Sequence, residues 1–239
     1  MAGRLLSEQG HDVVLHARNT ARAQDAQRAL RGAEVIIGDV STIAGARSVA
    51  EQANALGRFD AVIHNVAVGY KEPRRVETSD GLPQVFATNV LAPYIFTALM
   101  RRPQRLIYLS SGLHRSTTAE LDDVLWQKRR WDGTTAYSET KLYDTMLAFA
   151  IARRWPDVFS NALEPGWVPT KMGGSEAPDD INQAHLTQVW LAVSDDALVT
   201  GQYFYHNKRL APNPQAEDFN LQDQLIAVCE KSTQLALPN

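Results

Sequence analysis

One cysteine, Cys229, stands in 239 residues, so no internal disulfide is available and no second thiol can share a metal. The six histidines are scattered without an HxxxH pair, and no CxxC occurs; the usual spacings of a zinc site are absent and no metal is expected. Excess positive charge is missing too: 24 Lys and Arg against 27 Asp and Glu give a net charge of -3. There is no basic field for nucleic acid or anionic lipid, and a small-molecule partner is the better expectation. No run of about 18 apolar residues that could span a bilayer is present. The opening Met1-Ala2-Gly3-Arg4-Leu5-Leu6-Ser7-Glu8 is too polar for a signal peptide, which points to a soluble, cytoplasmic protein. Repeats and low-complexity tracts are lacking, so residues 1–239 are read as one domain. The glycines do not cluster either: neither GxGxxG nor TGxxxGxG occurs, and with them goes the usual backbone cradle for a pyrophosphate.

What is present alternates. Short apolar runs rich in branched residues lie at 12–16, 34–37, 60–64, 105–109 and 158–163, with another at 201–205; they predict buried strands. Helical spacing fills 1–9, 20–31, 42–56, 80–101, 136–155 and 218–232. Strands alternating with helices imply right-handed crossovers and a mostly parallel sheet covered on both faces, an α/β doubly wound fold.

Three local patterns carry chemistry. In Tyr137-Ser138-Glu139-Thr140-Lys141 the phenol and the ammonium are four residues apart, on one helix face. A phenol is a poor base at neutral pH, and a neighbouring ammonium favours its ionised form, so the pair suits proton transfer to or from a substrate oxygen. Leu106-Ile107-Tyr108-Leu109-Ser110-Ser111-Gly112 is a strand ending in hydroxyls, and ligands of parallel sheets sit beyond the carboxyl ends of strands. Asn161-Ala162-Leu163-Glu164-Pro165-Gly166-Trp167-Val168-Pro169-Thr170 repeats that design with a Pro-Gly turn.

Together, and in this order, these segments resemble the short-chain dehydrogenase/reductase superfamily over nearly the whole chain. The resemblance implies that Ser111, rather than Ser110, hydrogen-bonds the substrate oxygen. Tyr137 would be the general acid or base, Lys141 would tune it and hold the nicotinamide ribose, and Asn89 of Phe86-Ala87-Thr88-Asn89-Val90 would position a water in a proton relay. The implied activity interconverts a carbonyl and an alcohol with a nicotinamide cofactor. Arg18 follows the strand where an acidic residue would bind the free ribose of NAD, and a guanidinium suits a 2′-phosphate, so NADP(H) is preferred over NAD(H). Asp39 and Val40 would meet the adenine. Asn65, Val66 and Ala67, after His64, stand in for the family's Asn-Ala-Gly, one glycine short; His64 itself reads as a core-edge histidine with one satisfied nitrogen. Pro165, Gly166, Val168 and Thr170 would hold the carboxamide.

The long interval from Ser111 to Tyr137 resembles the retinol-dehydrogenase-like branch, without fixing the substrate. Within it, Trp126 and Trp131, with Trp167 beyond, are candidates either for an apolar pocket or for core packing. Arg101-Arg102 and Lys128-Arg129-Arg130 read as solvated helix ends. In many relatives the long helices pair subunits, so the resemblance implies a homodimer or homotetramer. Against the family pattern, the chain begins in a helix and its first strand matches the family's second. The expectation is a Rossmann-type domain with the family's first strand and glycine-rich loop missing from this sequence and two inner ladders left unpaired, either because the natural chain starts upstream of Met1 or because the segment is lost. A family member that acts as a binding or structural protein is the alternative reading.

Overall fold

The computed structural model describes residues 1–238. In chain order the elements are α1 (Ala2–Glu8), β1 (Val14–Ala17), α2 (Thr20–Ala29), β2 (Glu34–Ile37), α3 (Ile43–Leu56) and β3 (Ala61–His64). There follow α4 (Gln84–Phe86), a π-helical turn (Ala87–Leu91), α5 (Ala92–Leu99), β4 (Arg105–Leu109), α6 (Gly133–Arg154) and β5 (Phe159–Leu163). The chain ends with α7 (Leu186–Val193), β6 (Tyr203–Tyr205), β7 (Lys208–Leu210) and α8 (Phe219–Thr233). Polar caps start the helices where the sequence offers them: Asn19, Thr42 and Asp132 accept the N–H of Arg22, Gly45 and Thr135 at 3.0, 3.1 and 2.7 Å. Each satisfies a donor that the first turn leaves orphaned. The Asp132 cap explains why α6 begins three residues before the expected 136.

Two expectations need correction. The helix predicted over 80–101 starts only at Gln84, because residues 77–83 make a turn closed by the Glu77–Pro83 bridge, and it is interrupted by the π turn. Pro93 has no N–H to give the Asn89 carbonyl, so the regular ladder cannot run through that carbonyl. β7 and α7 were not anticipated; β7 is a three-residue, fully exposed edge strand that pairs antiparallel with β6.

Strands β3-β4-β5-β6-β7 form a five-stranded sheet, parallel except for β7, while β1 and β2 pair parallel in a separate two-stranded sheet. The break falls between β1 and β3, where unpaired inner ladders were expected. No strand ladder joins the two sheets among the described residues; helices do. Leu5, Leu6 and Val13 share one apolar cluster with Ala61, Ile63 and Ile107, and Val14 and Ile36 share another with Val49, Ala92 and Ile95. The largest cluster lies where α4, α5, α6 and α8 cover β4 and β5, with Leu142, Met146 and Tyr94 at its centre. Among the described residues no helix is long and apolar enough to cross a membrane.

Candidate active site

Parallel β3, β4 and β5 discharge on one side of the sheet, and α6 runs past that side. Ser110 ends β4 and turns inward: its hydroxyl donates to the Lys141 carbonyl at 2.8 Å and accepts from Thr145 at 3.0 Å. Ser110 thus stitches β4 to α6, and Ser111, half-buried, is left at the strand exit, where its hydroxyl accepts the Leu113 N–H at 3.3 Å. Tyr137 and Lys141 lie on one face of α6, the ammonium 5.7 Å from the phenol ring centre. Lys141 is 3% exposed and donates to the Leu109 carbonyl at 2.7 Å and to Asp144 at 2.8 Å. Burial disfavours its charge, yet the Asp144 carboxylate and, more weakly, Tyr137 leave its pKa raised. Burial pushes the Asp144 carboxyl up to about 6, against the pull of Lys141.

Asn89 sits in the π turn, 1% exposed. Its amide oxygen accepts the Val68 N–H at 2.8 Å, and its amide nitrogen donates to the Val68 carbonyl at 3.3 Å and to Thr140 at 3.0 Å; Thr140 in turn donates to the Tyr137 carbonyl at 2.7 Å. The side chain therefore pins the segment after β3 to α6 beside Tyr137. Thr140 was missed by sequence reasoning, although it lies inside the Tyr-Lys pattern.

Tyr137 is 6% exposed and packs with Val85, Trp126 and Ala136, flanked by Val68, Tyr70, Trp131 and Met172. Two of the three singled-out tryptophans thus wall the phenol, while Trp167 is 52% exposed with its indole N–H on the Gly173 carbonyl at 2.9 Å. Arg129 corrects the reading of its basic cluster as a solvated end: it bonds buried Glu139 at 2.5 Å and Asp123 at 3.2 Å and stacks on Trp126. His64 is buried, its Nε2 without a hydrogen-bond partner; the ring lies 4.6 Å from that of Tyr108, and burial lowers its pKa to about 3. His114, also unanticipated, has no exposure; its Nδ1–H donates to the Ser111 carbonyl at 2.7 Å, because its Nε2 accepts the Asn213 N–H at 3.1 Å. It ties the segment leaving Ser111 to the C-terminal part of the chain.

The remaining sequence candidates fall into two groups. Asn65, Val66 and Ala67 leave β3, and Pro165, Gly166, Val168 and Thr170 leave β5, both on the side of Ser111. Gly166 has φ +88°, and a Cβ there would come within 2.7 Å of Asp179, so the turn requires glycine. Thr170 accepts the Gly173 N–H at 3.1 Å. Arg18, Asp39 and Val40 belong to the separate small sheet. Arg18 is exposed, and Val40 is buried in the cluster under α3. Asp39 accepts the N–H and hydroxyl of Ser41, which hold its carboxyl below the usual range with help from Arg18 and His16.

A family model described as Enoyl-(Acyl carrier protein) reductase matches residues 2–208. An oxidoreductase of Emericella nidulans is 41% identical over 99% of this chain and 93% of its own length. The short-chain dehydrogenase chry4 of Gibberella zeae is 39% identical over 100% and 93%. Among solved structures, a Mycobacterium paratuberculosis protein superposes with a TM-score of 0.85 at 22% identity, covering 100% of this chain and 90% of that one. A blue fluorescent protein from a metagenomic library, in complex with NADPH, gives 0.66 at 21% identity, covering 85% and 89%. With a family match over most of its length and two relatives near 40% identity, the chain belongs to the short-chain dehydrogenase/reductase superfamily, oxidoreductases that act on CH–OH and C=O groups.

Proposed function

We propose that the chain interconverts a small-molecule carbonyl and the corresponding alcohol with NADP(H), using Tyr137 as the acid or base. The observation that carries this reading is the convergence of Ser111, Tyr137, Lys141 and the Asn89–Thr140 link beyond the carboxyl ends of β3 and β4. The residues present fit the two ends of a nicotinamide dinucleotide. Arg18 offers an exposed guanidinium at the exit of β1, suited to a 2′-phosphate by charge-assisted hydrogen bonds. Lys141 offers an ammonium beside Tyr137, and the Pro165–Gly166 turn with Val168 and Thr170 offers backbone groups to a carboxamide. Asp39 and Val40 flank the adenine end, and Asn65, Val66 and Ala67 line the exit of β3.

A reduced nicotinamide held by these residues would supply hydride to a carbonyl carbon. Tyr137 gives its phenolic proton to the carbonyl oxygen, which the Ser111 hydroxyl orients; Lys141 favours the phenolate so formed, and a proton returns to it through Lys141 and a water positioned by Asn89. The reverse oxidation uses the same groups. Tyr137→Phe is expected to lose at least about 100-fold in NADPH-linked carbonyl reduction, followed at the cofactor's absorbance band; full activity in that variant would overturn the reading. A second reading, a family member that acts as a binding or structural protein, rests on the split between the two sheets among the described residues. Calorimetric titration of NADPH into the chain separates the two, since tight binding removes the second.

A further inference from the structure

Tyr137, Lys141 and Asp144 follow one another at spacings of four and three residues, along one face of α6. Only the first two have a place in the chemistry above. Asp144 is 3% exposed as a residue, its Oδ2 lies 2.8 Å from the Lys141 ammonium, and its Oδ1 is buried with no hydrogen-bond partner. Stability does not explain such a pair. Two charges removed from water gain little over apolar residues of the same volume, and a carboxylate oxygen left unbonded is a further cost. Asparagine or leucine at this place, with an uncharged residue at 141, would avoid both. Nor does Asp144 serve another cation. From α6 it is faced by Lys141, from β4 by Tyr108, whose hydroxyl is engaged by Thr97 at 2.7 Å, and from α8 by Cys229. Burial keeps Tyr108 and Cys229 neutral, and holds His64, beyond Tyr108, neutral as well. Among the described residues, Lys141 is the one charge it answers.

We propose that Asp144 is a positioning residue for proton transfer: it keeps the buried Lys141 ammonium charged and, with the Leu109 carbonyl, fixes where that charge stands beside Tyr137. The proposal rests on the catalytic reading of Tyr137 and Lys141. Without the carboxylate, burial would favour the neutral amine, and the group that favours phenolate would be lost at lower pH. The Lys141 ammonium has three N–H groups; with two spent on Leu109 and Asp144, one is left for the reacting face.

The test compares Asp144→Asn with Tyr137→Phe, using NADPH consumption with para-nitrobenzaldehyde as the carbonyl probe across the pH range. For Asp144→Asn the alkaline fall in kcat is expected to move to lower pH by about one unit or more, with KM for the aldehyde within about twofold. A merely structural role would not move that limb. If Tyr137→Phe is inactive and Asp144→Asn superimposes on the parent profile, the role of Asp144 is overturned while the catalytic reading stands. If Tyr137→Phe keeps full activity, the catalytic reading itself fails. Should Asp144→Asn not fold, or the aldehyde not be turned over, the parent protein with ¹⁵N-labelled lysine answers directly. The ζ-nitrogen signal that disappears in Lys141→Met is expected to stay that of a charged ammonium up to the ordinary lysine range or above, and a change to the neutral amine well below that range would overturn the proposal.

Discussion

The two sheets are made of similar strands and differ in what surrounds them. In the five-stranded sheet β4 is buried at every position, ladder on both sides, with α5 and α6 on one face and α7 on the other. In the two-stranded sheet only Ala17 of β1 and Ile36 of β2 are buried, and each strand has a single partner. β3, facing the break, shares that half-exposure at Ala61, Val62 and Ile63. The proposed chemistry divides along the same line. Ser111, Tyr137, Lys141 and Asn89 stand on the well-packed side, where side chains are held by neighbours that cannot move. Arg18, Asp39 and Val40, proposed to choose and hold the adenine end of the cofactor, stand on the lightly packed side. Proton transfer needs groups fixed to fractions of an ångström, whereas a guanidinium grips a phosphate through charge and tolerates more motion.

Hydrogen exchange tests the contrast most strongly. Amides of β4 and β5 are expected to exchange at least about a thousandfold more slowly than those of β1 and β2, reflecting local opening of the small sheet without global unfolding. Equal protection would make the two sheets one cooperative unit and remove the distinction. Core truncation comes next. Leu142, with no exposure at the centre of the largest cluster, should cost about 2–5 kcal/mol as Leu142→Ala in urea unfolding, and half-buried Val14 in β1 about 1 kcal/mol or less as Val14→Ala. Comparable losses would show that the small sheet is as tightly built as the large one.

Acid sensitivity belongs to the large region. Burial holds His114 near 4, below the value of about 6.5 it has when unfolded. The unfolded chain therefore binds the extra proton between those limits, and this contribution is complete above pH 6.5 and is lost as pH falls through about 4. Melting temperature should drop over that window, and His114→Gln, which cannot take the proton, should flatten part of the drop. An unchanged slope would mean that the tie between the Ser111 segment and Asn213 contributes little. The smallest effect lies in the small sheet: Arg18→Ala should shift the preference for NADPH over NADH by about 1–3 kcal/mol in kcat/KM. An unaltered ratio would take Arg18 out of the cofactor site.

Much of this architecture is legible along the chain because it follows from local rules. All six expected strands occur within two residues of their apolar runs, and capping residues Asn19, Thr42, Asp132 and Asp218 mark helix starts that periodicity alone left vague. Ser111, Tyr137 and Lys141 stand out because each sits at a position where strand direction or helix period aims it. The π turn did not stand out, since Pro93 reads locally as an early-helix proline and only the through-running helix makes its missing N–H matter. β7 is too short and too polar to announce itself, and α7 is an eight-residue apolar run that suits a strand equally well.

The sequence by itself determined the element order, the parallel α/β class and the shared helix face of Tyr137 and Lys141, because these depend on residues close together in the chain. Only tertiary structure decided which charges are buried together. Lys141 and Asp144 are an ordinary helical spacing until β4 and α8 close over them. Burial is a property of the surroundings, and those surroundings are supplied by segments dozens of residues away.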